Sequence, residues 1–220
     1  MNVLTSPLLQ LFKDTLLLIP CSGAKRPGSK LSNALPILWV LDPSLAAALA
    51  NARAALREKA RVDERTLMAA YLRYSGQLYE HASTSIGRAV AAGQRVLIVS
   101  GGYGLLLVDE PIGMYEKRFV LSDWPRGLLE GCILDYARHE GIRSVVAVMS
   151  NTTDYAKLIR RVNWRRAGLE ATLVSPVASG GAAMVRVPRA QGQAVAALID
   201  AGLHHTWRSS DSLSLQTERL

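Results

Sequence analysis

Three polar segments of this sequence carry residue types capable of chemistry, and each follows an apolar run. The first is Cys21-Ser22-Gly23-Ala24-Lys25-Arg26-Pro27-Gly28. Cys21 has the chemistry of a nucleophile, but none of His81, His139, His204 and His205 stands out as its base, so a small buried cysteine is the plainer reading. Ser22 could hold a phosphate or a base edge. Lys25 could pair with phosphate, or attack a sugar carbon as a Schiff-base amine. The second segment is Ser100-Gly101-Gly102-Tyr103-Gly104-Leu105, where the glycines allow backbone amides to approach an anion closely. It lacks the lysine of a phosphate-binding loop and the GxGxxG spacing of a dinucleotide site. Beyond it stand Asp109, Glu110 and Tyr115. Adjacent carboxylates in a loop are usually only solvated, yet one of this pair could stabilise an oxocarbenium-like sugar and position water. The third segment, Ser150-Asn151-Thr152-Thr153-Asp154, offers Asn151 as a partner for a base, while Asn151 and Asp154 also suit a helix cap. A further stretch, Tyr74-Ser75-Gly76-Gln77-Leu78-Tyr79, supplies rings that could stack on a base and an amide that could read one. No cluster has metal-ligand spacing, and no metal or cofactor is expected.

The elements that must position these groups follow from the apolar pattern. Residues 15–20 (TLLLIP), 95–100 (RVLIVS), 144–149 (SVVAVM) and 171–175 (ATLVS) read as buried strands. Helices are expected over 43–59, over 63–72 with Asp63 as N-cap, over 78–92 closed by Gly93, over 123–140 stopping at Gly141, and over 191–201. A basic helix follows Asp154. Gly180-Gly181 introduces a short stretch to residue 187. Strands that are apolar throughout and separated by helices predict an α/β fold, a single domain whose mostly parallel sheet is flanked by helices. That domain is expected over residues 1–203, with a helical insert at about 40–72 and a loose polar tail over 204–220. In such sheets ligands bind outside the carboxyl ends of the strands. The polar loops after Pro20, Val99 and Met149 are therefore expected to converge.

Charge points to the partner. The chain has 26 Lys and Arg against 18 Asp and Glu, a net charge of +8 over 220 residues. Such an excess favours a polyanion, because neutralising phosphates releases counterions. Lys157, Arg160, Arg161, Arg165 and Arg166 fall within ten residues, with Trp164 among them. On one helix, positions 157, 160, 161 and 164 would share a face and form a phosphate-contacting stripe with a stacking ring. Arg26 adds a backbone contact. No apolar run approaches the roughly 18 residues needed to cross a bilayer, and residues 1–12 lack the features of a signal peptide. Two cysteines imply no disulfide framework. A cytoplasmic monomer is expected, with DNA as partner and no membrane.

Taken together, the motifs resemble the YaaA peroxide-stress family and the PCSxxK-containing domain of archaeosine synthase. The resemblance rests on Pro20-Cys21-Ser22-Gly23-Ala24-Lys25, on Tyr74-Ser75-Gly76-Gln77-Leu78-Tyr79, on Ser100-Gly101-Gly102-Tyr103-Gly104-Leu105-Leu106 with Asp109, Glu110, Ile112 and Tyr115 beyond, and on Ser150-Asn151 with Asp154-Tyr155. These occur in the family's order over residues 16–160, whereas residues 180–192 match loosely. Arg189-Ala190-Gln191-Gly192 stands where the family has a Lys/Arg-Gly signature. The resemblance implies a sheet related in part to uracil-DNA-glycosylase architecture and a link to DNA or modified bases. The pattern is also similar to a phage-defence glycosylase that removes glucosylated hydroxymethylcytosine. The expectation is a monofunctional DNA glycosylase for a modified base, acting in antiviral defence. Asp109 or Glu110 would serve the sugar cation; Tyr79, Tyr103 or Tyr115 would enclose the base; Asn151 and Gln77 would contact its polar edge. Ser22, Lys25 and the Gly101 and Gly102 amides would hold phosphates. The alternatives are a DNA-binding stress protein without catalysis and an N-glycosidase of free nucleosides or nucleotides.

Overall fold

The apolar runs become strands because both of their faces find a partner. A computed structural model describes residues 9–30, 33–177, 183–204 and 206–220. In chain order it contains β1 (Thr15–Pro20), α1 (Pro43–Leu56), β2 (Asp63–Ala69), α2 (Ala70–Arg73), α3 (Gln77–Ala91), β3 (Arg95–Ser100), β4 (Gly104–Leu107) and β5 (Pro111–Met114). Then follow α4 (Leu128–His139), β6 (Ser144–Val148), α5 (Asp154–Arg161), β7 (Glu170–Val177), α6 (Ala183–Asp200) and β8 (Ser214–Arg219). One sheet has the order β4-β3-β1-β6-β7-β8. β3, β1, β6 and β7 are parallel neighbours, and the edge strands β4 and β8 run antiparallel to them. β2 and β5 form a separate antiparallel ribbon.

Alternation along the central strands divides the core in two. Leu16 and Leu18 of β1, with Leu97 and Val99 of β3, face α1, α4 and α5 through Leu49, Leu129, Ile133 and Leu158. Leu17 and Ile19, with Val96 and Ile98, face α3 and α6 through Tyr79, Ile86, Val195 and Leu198. A two-sided environment explains why the sequence shows continuous apolar runs and no alternation of apolar with polar. It is the α/β, mostly parallel, single-domain arrangement that the pattern predicts.

Three expectations are corrected. Residues 63–72 are not one helix: Asp63–Ala69 is β2, and only Ala70–Arg73 is helical. The Asp63 carboxylate does not cap a helix; it holds the Arg65 guanidinium, and Met68 and Ala69 pair with Ile112 and Pro111. Cross-strand pairing outweighs the local propensity of this polar stretch, so the insert at 40–72 is helical only in α1 and α2. The segment 204–220 is not a loose tail throughout, because Ser214–Arg219 closes the sheet as β8, Thr172 pairing with Arg219 and Val177 with Ser214. β7 would otherwise present a free edge. Finally, α4 begins five residues later than expected, at Leu128, after Gly127 turns through φ 82°. Gly180, Gly181 and His205 lie outside the described residues. Among the described residues, no helix is long and apolar enough to cross a membrane.

Candidate functional site

β1 lies at the point where the strand order reverses. The chain passes from β1 to β3 on one side and later returns to β6 on the other, so the loops after all three strands leave the same edge. In an open α/β sheet that switch point is where a crevice forms. Here a cavity of about 240 Å3 opens among Cys21, Ser22, Gln77, Thr153, Tyr155 and Gln191. A larger groove, about 600 Å3, lies beside α4 and the amino ends of β6 and β7, lined by Leu45, Leu134 and Ile142. It has no nucleophile, and its carboxylate, Asp135, already accepts from the Asp42 amide at 2.7 Å. The smaller cavity holds the chemistry.

The loop after β1 is fastened from several sides. The Cys21 amide donates to Val99 O at 2.9 Å, and Ser22 Oγ accepts from the Gly76 amide at 3.1 Å and the Ala24 amide at 3.2 Å. Below the loop, fully buried Arg73 donates to Arg26 O at 2.7 Å, Gly28 O at 2.9 Å and Thr66 O at 2.8 Å. Lys25 belongs to the same loop, next to the residues that line the cavity but outside the lining itself. Its Nζ donates to Ser22 O at 3.2 Å and Gly23 O at 3.3 Å, and sits 3.7 Å from the Tyr115 ring centroid. Burial lowers the Lys25 pKa from the ordinary lysine value, with Cys21 and Glu116 opposing the shift.

Beneath the amine lies a buried hydroxyl network. Tyr74 and Tyr115 place their hydroxyls 2.8 Å apart; Ser100 Oγ is 3.0 Å from Tyr115 Oη and accepts from Tyr74 Oη at 3.3 Å. Ser100 also accepts from the Gly102 and Tyr103 amides. Burial drives the Tyr74 and Tyr115 hydroxyls well above the usual tyrosine range. Across the cavity, Tyr155 Oη meets Cys21 Sγ at 3.2 Å while its ring stacks on Phe119 at 4.9 Å.

Of the expected site residues, Cys21, Ser22 and Gln77 line this cavity, and Lys25 is bonded to the carbonyls of Ser22 and Gly23 beside it; Tyr74 and Tyr115 are core residues under Lys25 and expose no ring face for stacking. Tyr79 is buried too, its hydroxyl donating to Pro20 O at 2.9 Å and anchoring the end of β1. Tyr103 turns away to bond Glu64 Oε1 and the Gly113 amide, both at 3.1 Å. Gly101 and Gly102 are required for close packing: a Cβ on Gly102 would come within 2.7 Å of the Tyr115 ring, and one on Gly101 would strike the backbone of residues 117–119. The Gly102 amide is already committed to Ser100 and is not a free phosphate donor.

The two expected catalytic carboxylates are at the wrong end of the sheet. β4 runs back along β3, with Gly104 opposite Ser100 and Leu107 opposite Leu97. Five further residue steps from Gly104 carry Asp109 on the order of 16 Å from the crevice, where it lines a pocket with Gln94, Arg95 and Glu140. Glu110 is 2% exposed and structural: it meets Arg53 at 3.0 Å and accepts from the Ile37 and Leu107 amides. Burial pushes its carboxyl up, against the pull of Arg53.

Asn151 and Asp154 also face elsewhere. Asn151 bonds Arg160 and Gln216 on β8. Asp154 accepts from the Leu121 amide and from Lys157, which together hold its carboxyl below the usual range. The basic stripe is divided as well. Arg160 is clamped on Glu218 at 2.6 Å, and α5 ends at Arg161, so position 164 is off the helix. Trp164 is 2% exposed and donates to Ile159 O; it offers no stacking face. Arg26, Arg161 and Arg165 remain open to solvent.

The expected set omitted Ser100, Thr153, Tyr155 and Gln191 as site residues. Ser100 had a legible signal, a hydroxyl closing an otherwise apolar strand. Gln191 had none, because only the docking of α6 brings it to the cavity. Fold and crevice define an open α/β protein with a cavity at its topological switch point. No protein-family model matches the chain, and no curated protein matches it.

Proposed function

We propose that this chain removes a base from nucleic acid, as a DNA glycosylase working at the crevice beyond β1, β3 and β6, with Lys25 as its nucleophile. The observation that carries the reading is the Lys25 amine: partly desolvated, resting on an aromatic face, and bonded to the carbonyls of two cavity-wall residues. Neither a carboxylate nor Lys25 is among the residues that line the cavity, but Lys25 is bonded to two that are, Ser22 and Gly23, whereas Asp109 lies toward the other end of the sheet. A lowered pKa raises the share of neutral amine at any pH below the ordinary lysine value.

In this reaction the target nucleotide is extruded into the crevice, at a cost of a few kcal/mol that backbone contacts offset. The Lys25 nitrogen forms a bond to C1′ as the glycosidic bond breaks. The bonding pair leaves with the base, which takes up a proton from the amine. The sugar ring then opens to an imine, and water hydrolyses it, returning the free amine and an abasic site. The net charge of +8 and the solvent-facing Arg26, Arg161 and Arg165 support a phosphate-bearing substrate. The family resemblance points to a modified cytosine and to antiviral defence.

The test is an abasic-site assay on oligonucleotides carrying cytosine, methylcytosine, hydroxymethylcytosine and glucosylated hydroxymethylcytosine, with and without borohydride. An alkali-labile site together with a borohydride-trapped protein–DNA adduct, both lost in Lys25→Met, is the expected result. Abasic product without an adduct would assign the attack to water. Salt-sensitive binding with no product on any substrate would make the chain a DNA-binding protein.

A further inference from the structure

Gln191 brings an unpartnered carboxamide to the cavity wall. The residue is 4% exposed and lines the cavity, and its carboxamide makes no hydrogen bond among the described residues. A ligand entering the cavity must replace the hydrogen bonds that water makes to such a group. Its neighbour Gln77 differs. Gln77 Oε1 accepts from Arg189 Nε at 3.2 Å, and its Nε2 donates to Glu80, so both ends of that amide are taken. Gln191 therefore offers the cavity a complete amide donor and acceptor.

Its position is built into the fold. Gly192 packs where a Cβ would strike the Leu78 carbonyl, so α6 approaches the start of α3 at backbone distance. That contact sets Gln191 opposite Cys21 and Tyr155. A carboxamide presents one donor beside one acceptor, and its complement is a ligand edge with an acceptor beside a donor. All four bases carry such an edge: O4 beside N3–H in uracil, N4–H beside N3 in cytosine, N6–H beside N1 in adenine and O6 beside N1–H in guanine, which adds a second donor at N2.

We propose that Gln191 is a base-binding residue of the cavity, pairing through its carboxamide with an adjacent donor–acceptor edge of a bound nucleobase. This rests on the reading of the crevice as a base-binding site, but it does not require that the base be cleaved. Gln77, expected from sequence to read the base, instead braces the wall.

The experiment titrates the full chain with uridine, cytidine, adenosine, guanosine and a difluorotoluene nucleoside, which keeps the shape of thymine without its hydrogen-bonding edge, followed by ligand-observed NMR. Wild type should bind at least one of the four natural nucleosides about tenfold or more tightly than the difluorotoluene analogue. Gln191→Leu should close that gap by weakening the polar ligand. Gln191→Glu, which turns the side chain into an acceptor alone, should gain guanosine relative to wild type and serves as the second variant if Gln191→Leu does not fold. No nucleoside binding to wild type, or a gap unchanged in both variants, would overturn the proposal. A gap that closes in Gln191→Leu while wild type yields no abasic product leaves this inference standing and removes the glycosylase. Abasic product with unaltered base preference in Gln191→Leu does the reverse.

Discussion

The Lys25 ammonium and the Tyr115 ring lie 3.7 Å apart, amine over face, and the Tyr115 hydroxyl on the far side is bound to Ser100 and Tyr74. The ring thereby stands between a partly desolvated cation and a buried hydroxyl cluster. The ring quadrupole favours the charged amine, so it is desolvation that lowers the Lys25 pKa, against this contact.

From this follows a pH dependence. Because burial lowers the Lys25 pKa below 10.5, the neutral amine accumulates as pH rises through the lowered value. The single-turnover rate of base removal should therefore climb with pH and level off below the ordinary lysine range. A rate that rises without a plateau until pH passes 10.5 would contradict a desolvated nucleophile. The linkage has the same sign: between the lowered folded pKa and 10.5 the unfolded chain holds more protons, so this group makes stability increase with pH.

Glu110 should matter for stability and not for chemistry. It is buried against Arg53, whose other nitrogens hold the Tyr103 and Leu105 carbonyls. Removing one member of a buried pair strands the other, so Glu110→Ala should cost about 3–5 kcal/mol in urea unfolding. At temperatures where the variant is folded, base removal per folded molecule should match wild type. Asp109→Asn, at the same distant end of the sheet, should also keep its activity.

Gly192→Ala should separate packing from recognition. The added Cβ meets the Leu78 backbone, which has no flexible end to yield. Calorimetry should show a destabilisation of about 1–3 kcal/mol. Nucleoside selectivity should fall with it, since the same contact places Gln191.

The arginines of the basic stripe should act unequally. Arg26→Ala and Arg161→Ala each remove a solvent-facing cation, and each should reduce the slope of log K against log salt by about 0.9 on duplex DNA. Arg160→Ala should change that slope little, because Arg160 is committed to Glu218 and Asn151. Fluorescence anisotropy across a salt series measures all three.

The residues alone determined the four central strands, their parallel arrangement and the exit of three polar loops at one edge. Runs such as TLLLIP must be buried on both faces, and polar residues at their ends can only be carried to an edge. They carried Cys21, Ser22 and Lys25 to that edge for the same reason: all three lie in the loop that follows β1. What only the tertiary structure decided is which groups share a point in space. Asp109 and Glu110 are few residues from Ser100 along the chain, yet the hairpin of β3 and β4 carries them to the far end of the sheet. β8 closes the sheet from a polar tail because the edge of β7 is there to receive it. Gln191 reaches the cavity from more than a hundred residues beyond Gln77 because α6 docks on α3 at a glycine. Local pattern specifies what a segment can bury; long-range packing selects its neighbours, and no periodicity in the chain encodes that choice.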